Sequence, residues 1–308
     1  MPRLRPFQDE LPIPDLVRPI PGALEGNHLS IAARSEQVKL HDDLPPTHVW
    51  CYRLKHGHVA HRGSGASYLG PSIEVQRDEA VTVAWRNEIP ASHKLPFGVI
   101  KVPNPDVTTT LPVPENEPGQ DGALTDAQDP ARVRLRSLQA TLVTHLHGAR
   151  VQADYDGWPD NTAVPGQVAH YHYPNGQAAT MLWYHDHSMH VTRLNVFAGL
   201  AGAWLVRDAQ EKNLNLPDAR HELPLVIQDR NLALDGNGQF SGALLHKTEV
   251  DTGPAEFFGP YTLVNGKIWP KAPVEPNLYR LRVLNGANAR TFRLILLDDQ
   301  GNSLNPTL

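Results

Sequence analysis

Apolar and polar positions alternate in short runs along much of this chain. In SIEVQRDEAVTVAWRNEI, residues 72–89, Ile73 and Val75 point one way, and Val81, Val83 and Trp85 share a face. A period of two is what a half-buried strand shows, because successive side chains leave opposite faces. The same pattern predicts strands in Val133–His147, Val168–Tyr173, Ala179–His185, Gly202–Arg207 and Leu223–Asp229. Two further alternating runs cover Tyr279–Leu284 and Thr291–Leu297. Asn265-Gly266, inside TLVNGKIWP (262–270), predicts a hairpin-like turn. Helix is expected only within SMHVTRLNVFAGL (188–200), and then for one turn or two.

Between the strands the chain is punctuated. Residues 1–30 are proline-rich and irregular, which predicts an arm wrapping a first domain. Residues 102–130 are rich in Pro, Asp and Gly, the composition of a long surface loop or insertion. The polar segment EKNLNLPDARHE (211–222) holds Pro217 and is expected to separate two domains, 31–210 and 218–308. Short strands at this spacing predict an all-β protein of Greek-key sandwiches or barrels, and periodicity alone does not choose between them.

Composition narrows the picture modestly. A chain of 308 residues is long enough for two domains, and 28 prolines argue against long helices. A net charge of −5 gives no basis for a nucleic-acid or anionic-membrane partner. No run approaches the ~18 apolar residues of a membrane span. The segment MPRLRPFQDELPIPD has no apolar run of signal-peptide length. With one cysteine, Cys51, no intramolecular disulfide is possible. A cytoplasmic location is the simplest expectation, and export without such a signal stays open. Cys51, with His48 its nearest histidine, is expected to be a small buried hydrophobe.

Histidine changes the picture more. Of 16 histidines, five fall in THLHG and WYHDHSMH. His145 and His147 sit two apart in an apolar alternating run, so a strand places both on one face, roughly 7 Å apart. That separation suits two neighbouring metal ions better than one. His185 and His187 repeat the arrangement, with Trp183 expected on the same side. Imidazoles without a thiolate favour Cu, Zn, Fe or Ni over Mg or Ca. A lone His-X-His is usually an exposed or hydrogen-bonded pair. Two such pairs in apolar strands favour ligation. His170 and His172, flanked by tyrosines and a Pro-Asn-Gly turn, are expected to be structural, as is His190. His28, His41, His48, His56, His58, His61 and His93 are expected at the surface. HDHSMH (185–190) also approaches a zinc-hydrolase pattern, but Met189 stands where that chemistry needs Asp.

HLHG (145–148) and WYHDH (183–187) resemble the first two copper motifs of multicopper oxidases. DLPPTHVWCY, GPSIEVQRDEAVTVAWRN, DYDGWPDN, LVNGKIWP and YRLRVLNGANARTF extend the likeness to the branch of spore-coat laccases, bilirubin oxidases and phenoxazinone synthases. The resemblance implies cupredoxin-like Greek-key β-barrels, with one domain complete here, the second partial and a third outside this chain. It implies a type 1 copper that takes electrons from a phenolic or aminophenolic donor, and a trinuclear type 2/type 3 cluster that reduces O2 to water. His145 would ligate the type 2 copper, and His147, His185 and His187 the type 3 pair. Asp156, in DYDGWPD, would orient the cluster's surroundings and supply protons; as a residue before Gly157 it could equally be a turn former. Spore-coat location is a further implication.

The patterns HPXHXHG and HCHXXXH do not occur in these 308 residues. The chain is therefore expected to carry half of the cluster ligands and no type 1 site. A C-terminal portion, from the same or another chain, would complete it. A catalytically inactive copper-binding module is the alternative.

Overall fold

In the computed structural model, residues 2–22, 26–63, 67–93, 95–101, 140–217, 219–248 and 256–304 are described. The expected loop of 102–130 and the first part of the Val133–His147 run lie outside them. The strands, in chain order, begin with β1 (Leu16–Arg18), β2 (Ile20–Pro21), β3 (Asn27–Val38), β4 (Thr47–His56), β5 (His58–His61) and β6 (Ser72–Gln76). Next come β7 (Val81–Asn87), β8 (Phe97–Lys101), β9 (Thr144–His147), β10 (Val168–Tyr173), β11 (Thr180–Asp186) and β12 (Ala201–Arg207). The last are β13 (Glu222–Arg230), β14 (Leu232–Leu234), β15 (Phe240–Thr248), β16 (Tyr261–Val264), β17 (Lys267–Ile268) and β18 (Arg280–Asn285). Among the described residues helix is confined to α1 (Thr192–Ala198), α2 (Ala209–Asn213) and short 3-10 turns. The architecture is all-β, as the alternation predicts.

Two sheets form the first half. One runs β5-β1-β6-β12-β11-β9, and the other runs β10-β7-β3-β2 with β4 added to β3. Their facing sides bury Ile73, Val75, Val81, Val83, Trp50, Tyr52, Tyr184 and Trp204. Cys51, also fully buried, lies in β4, and burial pushes its thiol up to about 12. A third sheet, β17-β16-β13-β18, forms within the second half. The turn between β16 and β17 is the expected one, with Asn265 and Gly266 both at positive φ (50° and 88°), the conformation a two-residue hairpin turn demands.

The last sheet, β14-β15-β8, crosses the polar segment 211–222, since β8 pairs in parallel with β15 from Phe97↔Leu244 to Lys101↔Thr248. The N-terminal residues also reach across. Phe7 N–H donates to Trp269 O, Leu11 N–H to Lys271 O, and Lys267 pairs with Asp9.

Thr291–Leu297 alternates but forms no ladder among the described residues. It is irregular chain with one isolated bridge, Leu297 to Ser303. Leu294, Ile295, Leu296 and Leu297 are all exposed. Alternation yields a strand only where an adjacent edge offers hydrogen bonds and a face to cover.

A chain of alternating charges ties the halves together. Arg18 and Arg207 flank Glu74, Arg207 and Arg282 flank Glu222, and Arg282 and Arg280 flank Glu211. Burial acts to raise the Glu222 carboxyl, but hydrogen bonds from Arg207 and Arg282 outweigh it and hold it below the usual range. A carboxyl held below its unfolded value stabilises the fold above the ordinary carboxylate range, and that contribution is lost as pH falls through the lowered value. Chemical unfolding followed as a function of pH is therefore expected to show stability falling below about pH 4. Glu222→Gln should flatten that dependence while lowering stability at neutral pH. An unchanged slope would remove Glu222 from the cause.

Candidate metal centre

β9 and β11 are antiparallel neighbours, with His145 directly opposite His185 and Trp183 opposite His147. Because i and i+2 share a face, this register gathers His145, His147 and His185 on one side of the sheet, and His187 follows just past the end of β11. Ring centroids lie 5.5 Å apart for His145–His147, 5.6 Å for His145–His185, 5.5 Å for His147–His185 and 5.2 Å for His145–His187. His185 and His187 are 5.8 Å apart. Both His-X-His pairs are thus tighter than an ideal flat strand would set them. Trp183 lies against the site, 4.2 Å from His185 and stacked on His147 at 5.8 Å.

Ring nitrogens of His145, His147 and His185 lie within 4.8 Å of one another, close enough to share a cation. The His145 Nδ1–H donates to the main-chain oxygen of Asp156 at 2.5 Å, and the His185 Nδ1–H donates to the main-chain oxygen of Asp186 at 2.8 Å. Each bond fixes the tautomer that leaves Nε2 with its lone pair. His147 Nδ1 faces His185 Nε2 at 3.3 Å, and His187 Nδ1 is buried with no hydrogen-bond partner among the described residues. A metal ion would satisfy these inward-facing nitrogens.

Electrostatics point the same way. Burial lowers His185 to about 4, helped by the neighbouring imidazoles, and burial with His145 and His187 lowers His147. Both are neutral near pH 7, the form that ligates. Burial pushes Asp186 up to about 6, against donors from Val143, Asn195 and Ser188 that act to lower it.

Asp156 is beside the cluster, but its closest tie is through the backbone. The carboxylate Oδ1 is 3.4 Å from His145 Nδ1, and the side chain is 48% exposed. Gly157 makes the approach possible. Its φ is 83°, and a Cβ there would meet Thr144 O at 2.6 Å. Sequence reading singled out the carboxylate and missed the carbonyl, since a main-chain contact leaves no mark of its own. It also missed Ser188 and Asn195, whose side chains bond to Asp186.

The other histidines stand apart from this group. His170 and His172 are exposed on β10, in the other sheet, and His190 is exposed at positive φ (65°). Met189, also exposed, fills the position an acid would need for a zinc-hydrolase triad. His56, His58 and His61 are exposed as expected. His41 is not. It is fully buried, with Nε2–H donating to Arg5 O at 2.8 Å and Nδ1 accepting the Asp43 N–H at 3.0 Å. A histidine whose two ring nitrogens both find main-chain partners loses little by leaving water.

The paired His-X-His strands fall in a stretch of the chain that is similar to known copper oxidases. Residues 127–211 match the sequence profile of the multicopper oxidase family. The chain is 35% identical to a laccase of Bacillus subtilis over 304 residues, 95% of this chain and 52% of that protein. It is 36% identical to a bilirubin oxidase of Albifimbria verrucaria over 166 residues, 53% of this chain and 27% of that one. Its fold matches the McoA multicopper oxidase of the hyperthermophile Aquifex aeolicus with a TM-score of 0.62, at 21% identity, over 97% of this chain and 50% of that one. Residues 127–211 thus carry a multicopper oxidase family domain, and the chain has the all-β fold of the cupredoxin-like multicopper oxidases. It spans about half the length of the laccase relatives it matches. Among the described residues no helix is long and apolar enough to cross a membrane.

Proposed function

We propose that this chain supplies half of the ligands of a trinuclear copper cluster in a laccase-like oxidase. The oxidase would couple one-electron oxidation of phenolic or aminophenolic donors to four-electron reduction of O2 to water. The observation that carries the reading is the convergence of two His-X-His strands into one imidazole group with inward-facing nitrogens. In this reading His145 serves the type 2 copper, and His147, His185 and His187 serve the type 3 pair. The type 1 copper and the remaining ligands belong to a C-terminal portion, on the same polypeptide or on another. Bound copper supplies the electron-transfer chemistry toward O2.

The chain's own residues supply position and protons. The carbonyls of Asp156 and Asp186 orient His145 and His185 through Nδ1. The half-exposed Asp156 carboxylate stands between solvent and His145, where it can pass on the protons that water formation consumes. Trp183 covers one side of the imidazoles and limits access of bulk water.

The test is copper loading followed by oxygen uptake with a phenol, on the chain joined to its C-terminal complement. Uptake with a blue thiolate–copper band is expected. Copper-loaded protein that consumes no O2 would defeat the oxidase reading. The second reading is a copper-binding module inactive alone, and it rests on the ligand patterns HPXHXHG and HCHXXXH that these 308 residues do not hold. In that case the isolated chain binds copper without turning blue, because its one thiol, Cys51, is no part of the imidazole group. Intense blue colour from the isolated chain would overturn it.

A further inference from the structure

We infer that Asp186, the residue between the two histidines of the second pair, is a positioning residue for His187. The inference rests on the proposed copper reading. Strand β11 ends at Asp186, and its last ladder pair with β9 is Asp186↔Thr144. The regular ladder therefore places His145, His147 and His185, but it stops one residue short of His187.

What continues beyond it is a side-chain clamp. The Asp186 carboxylate is fully buried and accepts from four donors. Oδ2 takes the Val143 N–H at 2.9 Å and the Ser188 hydroxyl at 3.0 Å, the latter shared with Thr141 O. Oδ1 takes the Ser188 N–H at 3.1 Å and the Asn195 amide at 2.8 Å. Val143 answers in the other direction, its carbonyl accepting the His187 N–H at 2.7 Å. Val143 is thus held to Asp186 through its nitrogen and to His187 through its oxygen. Asn195 also donates to Thr141 O, so α1 is fastened to the same short segment.

The carboxylate's two oxygens are both needed as acceptors. Asn at this position keeps the shape but turns one oxygen into an NH2 group. Whichever way that amide is turned, the NH2 meets at least one fixed donor: the Val143 N–H in place of Oδ2, or the Ser188 N–H and the Asn195 amide in place of Oδ1. The clamp then opens where His187 depends on it, while the ladder still holds the other three imidazoles.

The test is a double-mutant cycle in copper affinity, with histidine side-chain NMR of the metal-free chain. Asp186→Asn is expected to weaken copper binding about 10–100-fold, the range for groups that orient ligands. In a His187→Ala background the same change should cost less than about twofold, because its effect runs through His187. Equal losses in both backgrounds, or wild-type affinity in folded Asp186→Asn, would overturn the inference. If the variant does not fold, Ser188→Ala removes one donor and keeps the carboxylate; a smaller loss, absent in the His187→Ala background, is expected, and an additive loss overturns it. Should the wild-type chain bind no copper, the copper reading fails, and the metal-free spectrum still decides the role of Asp186. Shifts in the His187 ring signals with the other three unchanged support it, and unchanged His187 signals refute it.

Discussion

His185→Ala is expected to lower copper affinity by more than about a hundredfold, beyond the loss seen when only a ligand's supporting partner is removed. His185 is the most buried of the four imidazoles and stands directly opposite His145. It also faces His147 Nδ1, so its loss leaves both neighbours without their common centre. The matching control is His170→Ala. His170 has the same His-X-His setting in sequence, yet it is exposed in the other sheet, and copper affinity should not change. Titration against a competing chelator, with folding checked by near-UV circular dichroism, reads both. A folded His185→Ala chain that keeps wild-type affinity would remove β11 from the metal site.

Gly157→Ala is expected to have the second-largest effect. Two costs combine. A non-glycine residue held at a φ of 83° is strained by about 1–3 kcal/mol. The added Cβ would also lie 2.6 Å from Thr144 O and 3.1 Å from His145 Cα, both backbone atoms that cannot swing aside. Relief requires the Asp156–Gly157 segment to lift off β9, which breaks the Asp156 carbonyl bond to His145. Gly166→Ala isolates the two costs. Gly166 has nearly the same φ, 90°, but nothing lies within 4 Å of a Cβ there. Urea unfolding should show the larger loss at 157, and only Gly157→Ala should weaken copper binding. Equal destabilisation by the two variants, with copper binding intact, would show that the close approach does not matter.

The contrast between Asp156 and His145 shows what the sequence could carry. A His-X-His in an alternating run states its own geometry, because the period of a strand decides which side chains share a face. The four imidazoles were legible for that reason, as were β6, β7, β10 to β13 and β18, whereas β3 and β4 drew no strand expectation. Asp156 was legible as a residue but not as an atom: the tie at 2.5 Å is made by its carbonyl, which any residue type has. The clamp at Asp186 was illegible because its donors come from Val143, Ser188 and Asn195, and nothing local announces which segments will meet. Thr291–Leu297 failed in the opposite sense. It has the alternation of a strand, but local pattern cannot supply a neighbouring edge. His41 was placed at the surface on residue type alone, and main-chain groups of Arg5 and Asp43 reversed that.

The pairing of β8 with β15 bears on how this chain is made. Leu244 pairs with Phe97, so β8 must wait for roughly 150 further residues before its neighbour exists. At about 5–20 residues per second, translation imposes a delay on the order of ten seconds. Through that interval the nascent chain exposes an unsatisfied strand edge to every other polypeptide nearby. Production should therefore depend on holding that edge apart until synthesis has passed Thr248, and slowing the ribosome between the two strands should favour aggregation over yield.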